Sequence, residues 1–351
     1  MCGIVGYVGY DEAAGKIIEG LKKLEYRGYD SSGIAILSDK GIELNKCKGE
    51  IKNLENMIAG RIPSGTCGIG HTRWATHGAP SDVNSHPHMD QSGRVALVHN
   101  GIVENYVELK EALINEYGIK FKSETDSEVI AQLVGVKYNA NGGDLEKAVY
   151  DATKEMRGTY AIGVIAEDTP DKIVAYRKEA PLIAGLGKKS NFIASDIPAL
   201  LKYTNDIFLI ENDEMVICTP DSITIKDKDG KEVKREAMKI TWSVEDAEKG
   251  GYEHFMLKEI NEQPKVVAET LNRRIDEDGK IKLDGINLTK EELDKYNKIY
   301  IVACGTAYHA GLVGKYVIEK MAGIAVEVDV ASEFRYRDPF IDEKTLFIAI
   351  S

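Results

Sequence analysis

The sequence predicts an α+β layered domain followed by the opening of a parallel α/β sheet. Three observations carry this. Helical patterns over 106–156 lie between two strand-rich blocks, the grammar of a layered sandwich. A polar, acidic, glycine-ended stretch at 243–251 reads as a linker. Beyond it come a strand, a glycine turn, a helix and a second strand, the order that a parallel sheet requires. With 351 residues and 43% hydrophobic content the chain can bury a large core, and its length favours two domains.

The first eight residues, Met1-Cys2-Gly3-Ile4-Val5-Gly6-Tyr7-Val8, are apolar and partly β-branched, which suits a buried strand at the start of the chain. Asp11 is placed to cap a helix whose apolar stripe is Ile17, Ile18, Leu21 and Leu24, and the loop 25–33 follows. Segments 32–37, 67–71 and 95–99 read as strands, and 106–117, 126–138 and 145–156 as helices. From Thr159 the strand pattern returns at 161–165, 191–194, 207–210 and 214–218, with Asp229-Gly230 as a two-residue hairpin turn. After the linker a helix is expected over 265–274, then strands at 298–303, 326–330 and 345–350 around one long helix. About ninety residues hold only part of a parallel α/β domain, so Ser351 is expected to fall inside an unfinished sheet.

Net charge is −12, and no dense Lys/Arg cluster is present to track a phosphate backbone or an anionic membrane. Nucleic acid and membrane are therefore not expected partners. No apolar run approaches roughly 18 residues and no signal-peptide pattern opens the chain, so a cytoplasmic protein is expected. Cysteines at 2, 47, 67, 218 and 304 form neither a disulfide framework nor a zinc knuckle. Cys47, Cys67 and Cys218 sit in apolar stretches and read as small packed hydrophobes. Cys2 differs. Removal of Met1 would make it the terminal residue, whose α-amine titrates near 7.7 to 8.0 and can take the thiol proton. From position alone, a buried structural thiol is the alternative.

Cys2-Gly3-Ile4-Val5-Gly6 is joined by Gly70-His71-Thr72-Arg73-Trp74-Ala75-Thr76-His77-Gly78, by His99-Asn100-Gly101 and by Glu124-Thr125-Asp126. Together these resemble the class II, N-terminal-nucleophile glutamine amidotransferases over about the first 240 residues. The resemblance implies a four-layer αββα sandwich and hydrolysis of L-glutamine by Cys2. Each residue also suits a handle of glutamine. Arg73 offers a planar fork for the carboxylate, with Thr76 and His77 close enough in sequence to complete the clamp. Asp126 can pair with the ammonium. Asn100 and the Gly101 N–H can receive the charge that builds on the amide oxygen, as in the family's oxyanion hole. Singly, each has a plainer reading: Arg73 a surface ion pair, Asp126 a helix cap, Asn100-Gly101 a tight turn.

The resemblance also places Trp74 beside an ammonia path, where a core anchor is the plainer reading. Arg27, in Leu24-Glu25-Tyr26-Arg27-Gly28-Tyr29-Asp30-Ser31-Ser32-Gly33, is expected to order the site without touching the reacting bond. Five histidines at 71, 77, 86, 88 and 99 lack H-E-x-x-H spacing, and a metal would poison a free thiolate, so no metal and no cofactor are expected.

His254-Phe255-Met256-Leu257-Lys258-Glu259-Ile260 with Glu262-Gln263-Pro264 resembles the hinge of glutamine:fructose-6-phosphate aminotransferases. Ala303-Cys304-Gly305-Thr306-Ala307-Tyr308-His309-Ala310-Gly311 and Ser332-Glu333-Phe334-Arg335-Tyr336 resemble segments of that family's sugar isomerase domain. Thr306 and Ser351 are then the expected sugar-phosphate contacts. The expected layout is an amidotransferase domain at 1–241, linker and hinge at 242–264, and the start of a sugar isomerase domain at 265–351. For a full-length enzyme the resemblance implies ammonia transfer to fructose 6-phosphate and a homodimer, whereas this chain is expected to carry only the glutaminase half-reaction. Two rivals are a glutaminase serving amidophosphoribosyl transfer or asparagine synthesis, and a non-catalytic sugar-phosphate sensor. The hinge and the Cys304-Gly305-Thr306 turn argue against the first. The second would need a damaged nucleophile or oxyanion hole.

Overall fold

The computed structural model describes residues 2–75, 78–241, 252–272, 274–275, 278–281 and 288–350. The expected linker at 243–251, and Thr76, His77 and Ser351, lie outside the described residues. Two compact units form, Met1–Gly251 and Tyr252–Ser351.

The first unit opens with β1 (Gly3–Gly9), α1 (Ala13–Leu24), β2 (Ser31–Ser38), β3 (Gly41–Lys48), α2 (Ile51–Ile58) and β4 (Cys67–Arg73). Next come β5 (His88–Met89), β6 (Val95–Val103), α3 (Tyr106–Tyr117), α4 (Asp126–Ala140) and α5 (Leu145–Glu155). It closes with β7 (Gly158–Ala166), β8 (Ile173–Lys178), β9 (Ile183–Leu186), β10 (Ser190–Ala194), β11 (Asp206–Leu209), β12 (Glu214–Cys218), β13 (Ile223–Lys226) and β14 (Met238–Lys239). One sheet runs β14-β11-β9-β10-β1-β4-β2-β3, the other β13-β12-β8-β7-β6-β5. Both are antiparallel.

Alternation along the strands builds four layers. In β1, Ile4 and Val8 join the core between the sheets, while Val5 and Tyr7 face α1 and α2. In β6, Ala96 and Val98 face between the sheets, while Val95 and Leu97 pack on α3, α4 and α5. Helices therefore cover both outer faces, giving the αββα sandwich. A bare backbone at Gly70 lets α1 close on β4, since an added Cβ would meet Ile17 Cγ2 at 2.4 Å.

Asp11 does not cap α1. Glu12 holds the cap position without a side-chain bond, and Ala13 N donates to Gly65 O at 2.8 Å. The Glu12 carboxylate instead accepts from Ser64 Oγ at 3.0 Å and Gly65 N at 2.9 Å, pinning the loop that supplies that carbonyl. Nor does Asp126 cap α4: Thr125 does, accepting from Glu128 N at 3.2 Å.

In the second unit, α6 spans Phe255–Asn272 with Pro264 inside it, so this helix starts ten residues before the position expected from sequence. A short α7 (Lys290–Leu293) follows. Then β15 (Lys298–Ala303), α8 (Gly305–Ala322), β16 (Ala325–Val330), α9 (Ala331–Tyr336) and β17 (Thr345–Ile350) form a parallel sheet in the order β16-β15-β17. Ile299, Ile301 and Val326 make its small core.

Candidate active site

The inter-sheet faces end in polar residues. Continued one step, the alternation of β1 puts Cys2 on the face of Ile4, and that of β4 puts His71 and Arg73 on the face of Cys67 and Ile69. In β6 the same rule brings Asn100 inward after Ala96 and Val98. The register Gly3↔Thr72 and Ile4↔His71 brings the first two strands level. A small cleft results, lined by Cys2, Arg73, Trp74, Gly101 and Asp126.

Cys2 Sγ accepts from Trp74 N at 3.3 Å and lies 3.5 Å from Trp74 O. Burial pushes its thiol above the ordinary value, against smaller downward pulls from the Trp74 backbone bond and the Arg73 charge. A thiol held protonated in this way needs a base. Asn100 Nδ2 donates to Cys2 O at 3.1 Å, and Asn100 Oδ1 lies 2.9 Å from His71 Nε2. Gly101 sits within β6 at φ +121°, so Asn100-Gly101 is a strand segment and no tight turn. Asp126, first residue of α4, accepts from Val103 N at 3.0 Å through Oδ2. Arg73 is 4% exposed and donates from Nη2 to Gly78 O at 3.0 Å, which removes the surface ion-pair reading.

Trp74 is 46% exposed and edge-on to Tyr29, with ring centroids 5.4 Å apart, and is no core anchor. Its backbone, not its ring, holds the thiol. Ala75 N donates to Asp30 Oδ2, and Asp30 N to Arg73 O at 3.1 Å, tying the 25–30 loop to the end of β4. Arg27 lies within that loop, paired with Asp196 and donating to Tyr26 OH at 3.1 Å. Thr306 lies in the first turn of α8, exposed, with Gly305 at φ +57° before it.

Sequence reasoning did not find the contacts of the buried histidines. His71, His86 and His88 are pushed well below the ordinary range by burial, His71 to about 3. His71 and His86 pack in a tilted contact with centroids 4.1 Å apart, and His99 Nδ1 meets Ser127 Oγ at 2.8 Å. Strand parity was the available signal: His71 follows Cys67 and Ile69 on an inward face, where an unneeded polar group is expensive.

Residues 71–202 match the glutamine amidotransferase domain family and residues 292–351 the SIS domain family. The sandwich is thus a glutamine amidotransferase domain. The glutamine–fructose-6-phosphate aminotransferase (isomerizing) of Clostridium tetani is 58% identical over 351 residues, covering 100% of this chain and 57% of that protein. The corresponding protein of Thermus thermophilus is 49% identical over 352 residues, with the same coverage. The chain belongs to the glutamine–fructose-6-phosphate aminotransferase (isomerizing) family, and it spans 57% of the length of these curated relatives.

Two solved structures share the fold. One, the allosteric regulatory enzyme of purine biosynthesis, has TM-score 0.57 and 25% identity over 65% of this chain and 49% of that one. The other, a glutamine phosphoribosylpyrophosphate amidotransferase from B. subtilis, has TM-score 0.56 and 21% identity over 93% of this chain and 65% of that one. Among the described residues no helix is long and apolar enough to cross a membrane.

Proposed function

We propose that this chain carries the glutamine-hydrolysing half of a glutamine–fructose-6-phosphate aminotransferase, together with part of its sugar isomerase half. The observation that carries the reading is the Asn100 amide beside Cys2, at 3.1 Å from its carbonyl oxygen, with the thiol itself held at Trp74 N. With Met1 removed, the Cys2 amine takes the thiol proton and Sγ attacks the amide carbon of L-glutamine. Charge moving onto the amide oxygen is received by Asn100 Nδ2 and Gly101 N–H. The amine returns its proton to the leaving nitrogen, ammonia departs, and water releases glutamate from the thioester.

Arg73, with Thr76 and His77, holds the substrate carboxylate, and Asp126 its ammonium. Arg27 and Asp196 brace the loop under Arg73, and Trp74 flanks the route by which ammonia leaves. In the longer protein the acceptor is fructose 6-phosphate and the product glucosamine 6-phosphate, with Thr306 and Ser351 on the sugar phosphate. A cytoplasmic homodimer is the proposed full-length form.

The test begins with the mass of the untreated chain, which reports whether Met1 is gone. Incubation with 6-diazo-5-oxo-norleucine is expected to add one label to Cys2, and glutamine to yield glutamate and ammonia in equal amounts. A chain lacking Met1 that takes no label and releases no ammonia would sink the proposal and favour the sensor reading.

A further inference from the structure

The Asn100 amide has two ends, and only one orientation is useful. Its Nδ2 must face the nucleophile for an N–H to meet the developing oxyanion. One Nδ2–H is committed to Cys2 O at 3.1 Å, which leaves the second for substrate. At the other end, Asn100 Oδ1 lies 2.9 Å from His71 Nε2, and that nitrogen is also 3.0 Å from His99 O. A main-chain carbonyl can only accept, so the His71 proton sits on Nε2 and is shared between two oxygens. His71 Nδ1 is buried without a hydrogen-bond partner, as a bare acceptor nitrogen can be, and the ring packs against His86, tilted by 35° with centroids 4.1 Å apart.

We infer that His71 is a positioning residue for glutamine hydrolysis, its Nε2–H fixing the Asn100 side chain with the NH2 toward Cys2. A flipped amide would set NH2 against Nε2–H at 2.9 Å and Oδ1 against Cys2 O at 3.1 Å, two repulsive contacts at a buried amide. Burial keeps the ring neutral, down to about 3, so the ring carries a single N–H and no second donor competes for the orientation. His71 itself need not touch substrate.

The inference rests on the proposed glutaminase reading, and the experiment separates the two. Glutamine hydrolysis is measured on the 351-residue chain, on His71→Leu, on His71→Gln, on Asn100→Ala and on the His71→Leu/Asn100→Ala pair. His71→Leu is expected to lower kcat about tenfold with KM little changed, because an oxyanion donor acts only in the transition state. His71→Gln, whose amide nitrogen reaches about as far as Nε2, recovers most of the loss. In the pair, His71→Leu adds nothing to Asn100→Ala, since it acts through that side chain.

A folded His71→Leu variant with kcat within twofold of the parent, or a pair with additive losses, overturns the inference. Should His71→Leu fail to fold, nitrogen-15 NMR of the parent decides. The Nε2–H tautomer with a bare Nδ1 is expected, and the Nδ1–H tautomer overturns the assignment. If the parent, freed of Met1, neither hydrolyses glutamine nor labels at Cys2, the glutaminase reading falls, while the tautomer still reports the orientation of Asn100.

Discussion

Acidification offers a quantitative check on the buried histidines. His71, His86 and His88 are all held neutral by burial, His71 down to about 3. In the unfolded chain each titrates near 6.5. The folded values are depressed, so the stabilisation is complete above the unfolded value and is lost as pH falls toward the folded one. Below about pH 6.5 the unfolded state takes up protons that the folded state refuses. Between pH 7.5 and 5.5 each ring removes about 1.4 kcal/mol, and the three together about 4 kcal/mol, a large share of a typical domain's stability.

The assay is urea unfolding followed by tryptophan fluorescence at a series of pH values. Both tryptophans, Trp74 and Trp242, precede the second unit in sequence, and Trp74 lies at the cleft of the first. His88→Gln, which keeps a polar group near Thr125 Oγ1 at the present 3.1 Å contact, is expected to flatten the pH slope by about a third. A loss under about 1 kcal/mol across the same range would show that the folded protein protonates these rings, refuting the reasoning.

Gly101→Ala would set a Cβ 2.0 Å from Thr159 O at φ +121°, so a loss of about 2 to 4 kcal/mol is expected in the same unfolding assay. Asn100→Ala is expected to lower the kcat of glutamine hydrolysis about 10²- to 10³-fold while far-UV circular dichroism stays unchanged. Arg235 bonds Glu214 with both Nη atoms, at 2.9 and 2.8 Å. Arg235→Met leaves that buried carboxylate without its cation and is expected to destabilise by about 2 to 4 kcal/mol, with partial recovery when Glu214→Gln is added. Unchanged urea midpoints would refute it.

Much of the architecture was legible because burial writes itself into strand parity. The alternations of β1 and β6, and the apolar stripe of α1, mark layers directly. The strand β3 and the helix α2 were not read. β3 is half-buried along most of its length and carries Glu43, Asn45 and Lys46 in place of an apolar run. The helix expected over 265–274 instead runs over Phe255–Asn272 with Pro264 inside it, an exposed helix whose backbone tolerates the missing N–H.

In the cleft, Cys2, Arg73, Asn100, Gly101 and Asp126 were named from ordered motifs. Their meeting depends on the register of β1 with β4 and on the stacking of two sheets, which local sequence does not carry. The same dependence hid the contact between Trp74 main chain and thiol, and that between His71 and Asn100.

The position of β1 has a kinetic consequence. Hydrogen-bonded to β10 on one side and β4 on the other, it is an interior strand, and the residue next to it bears the thiol. Amides along such a strand exchange with solvent only when the whole cooperative unit opens. Cys2 is therefore fastened to an interior, doubly paired strand rather than to a fraying end. The attacking sulfur is thereby held in place at the mouth of the cleft.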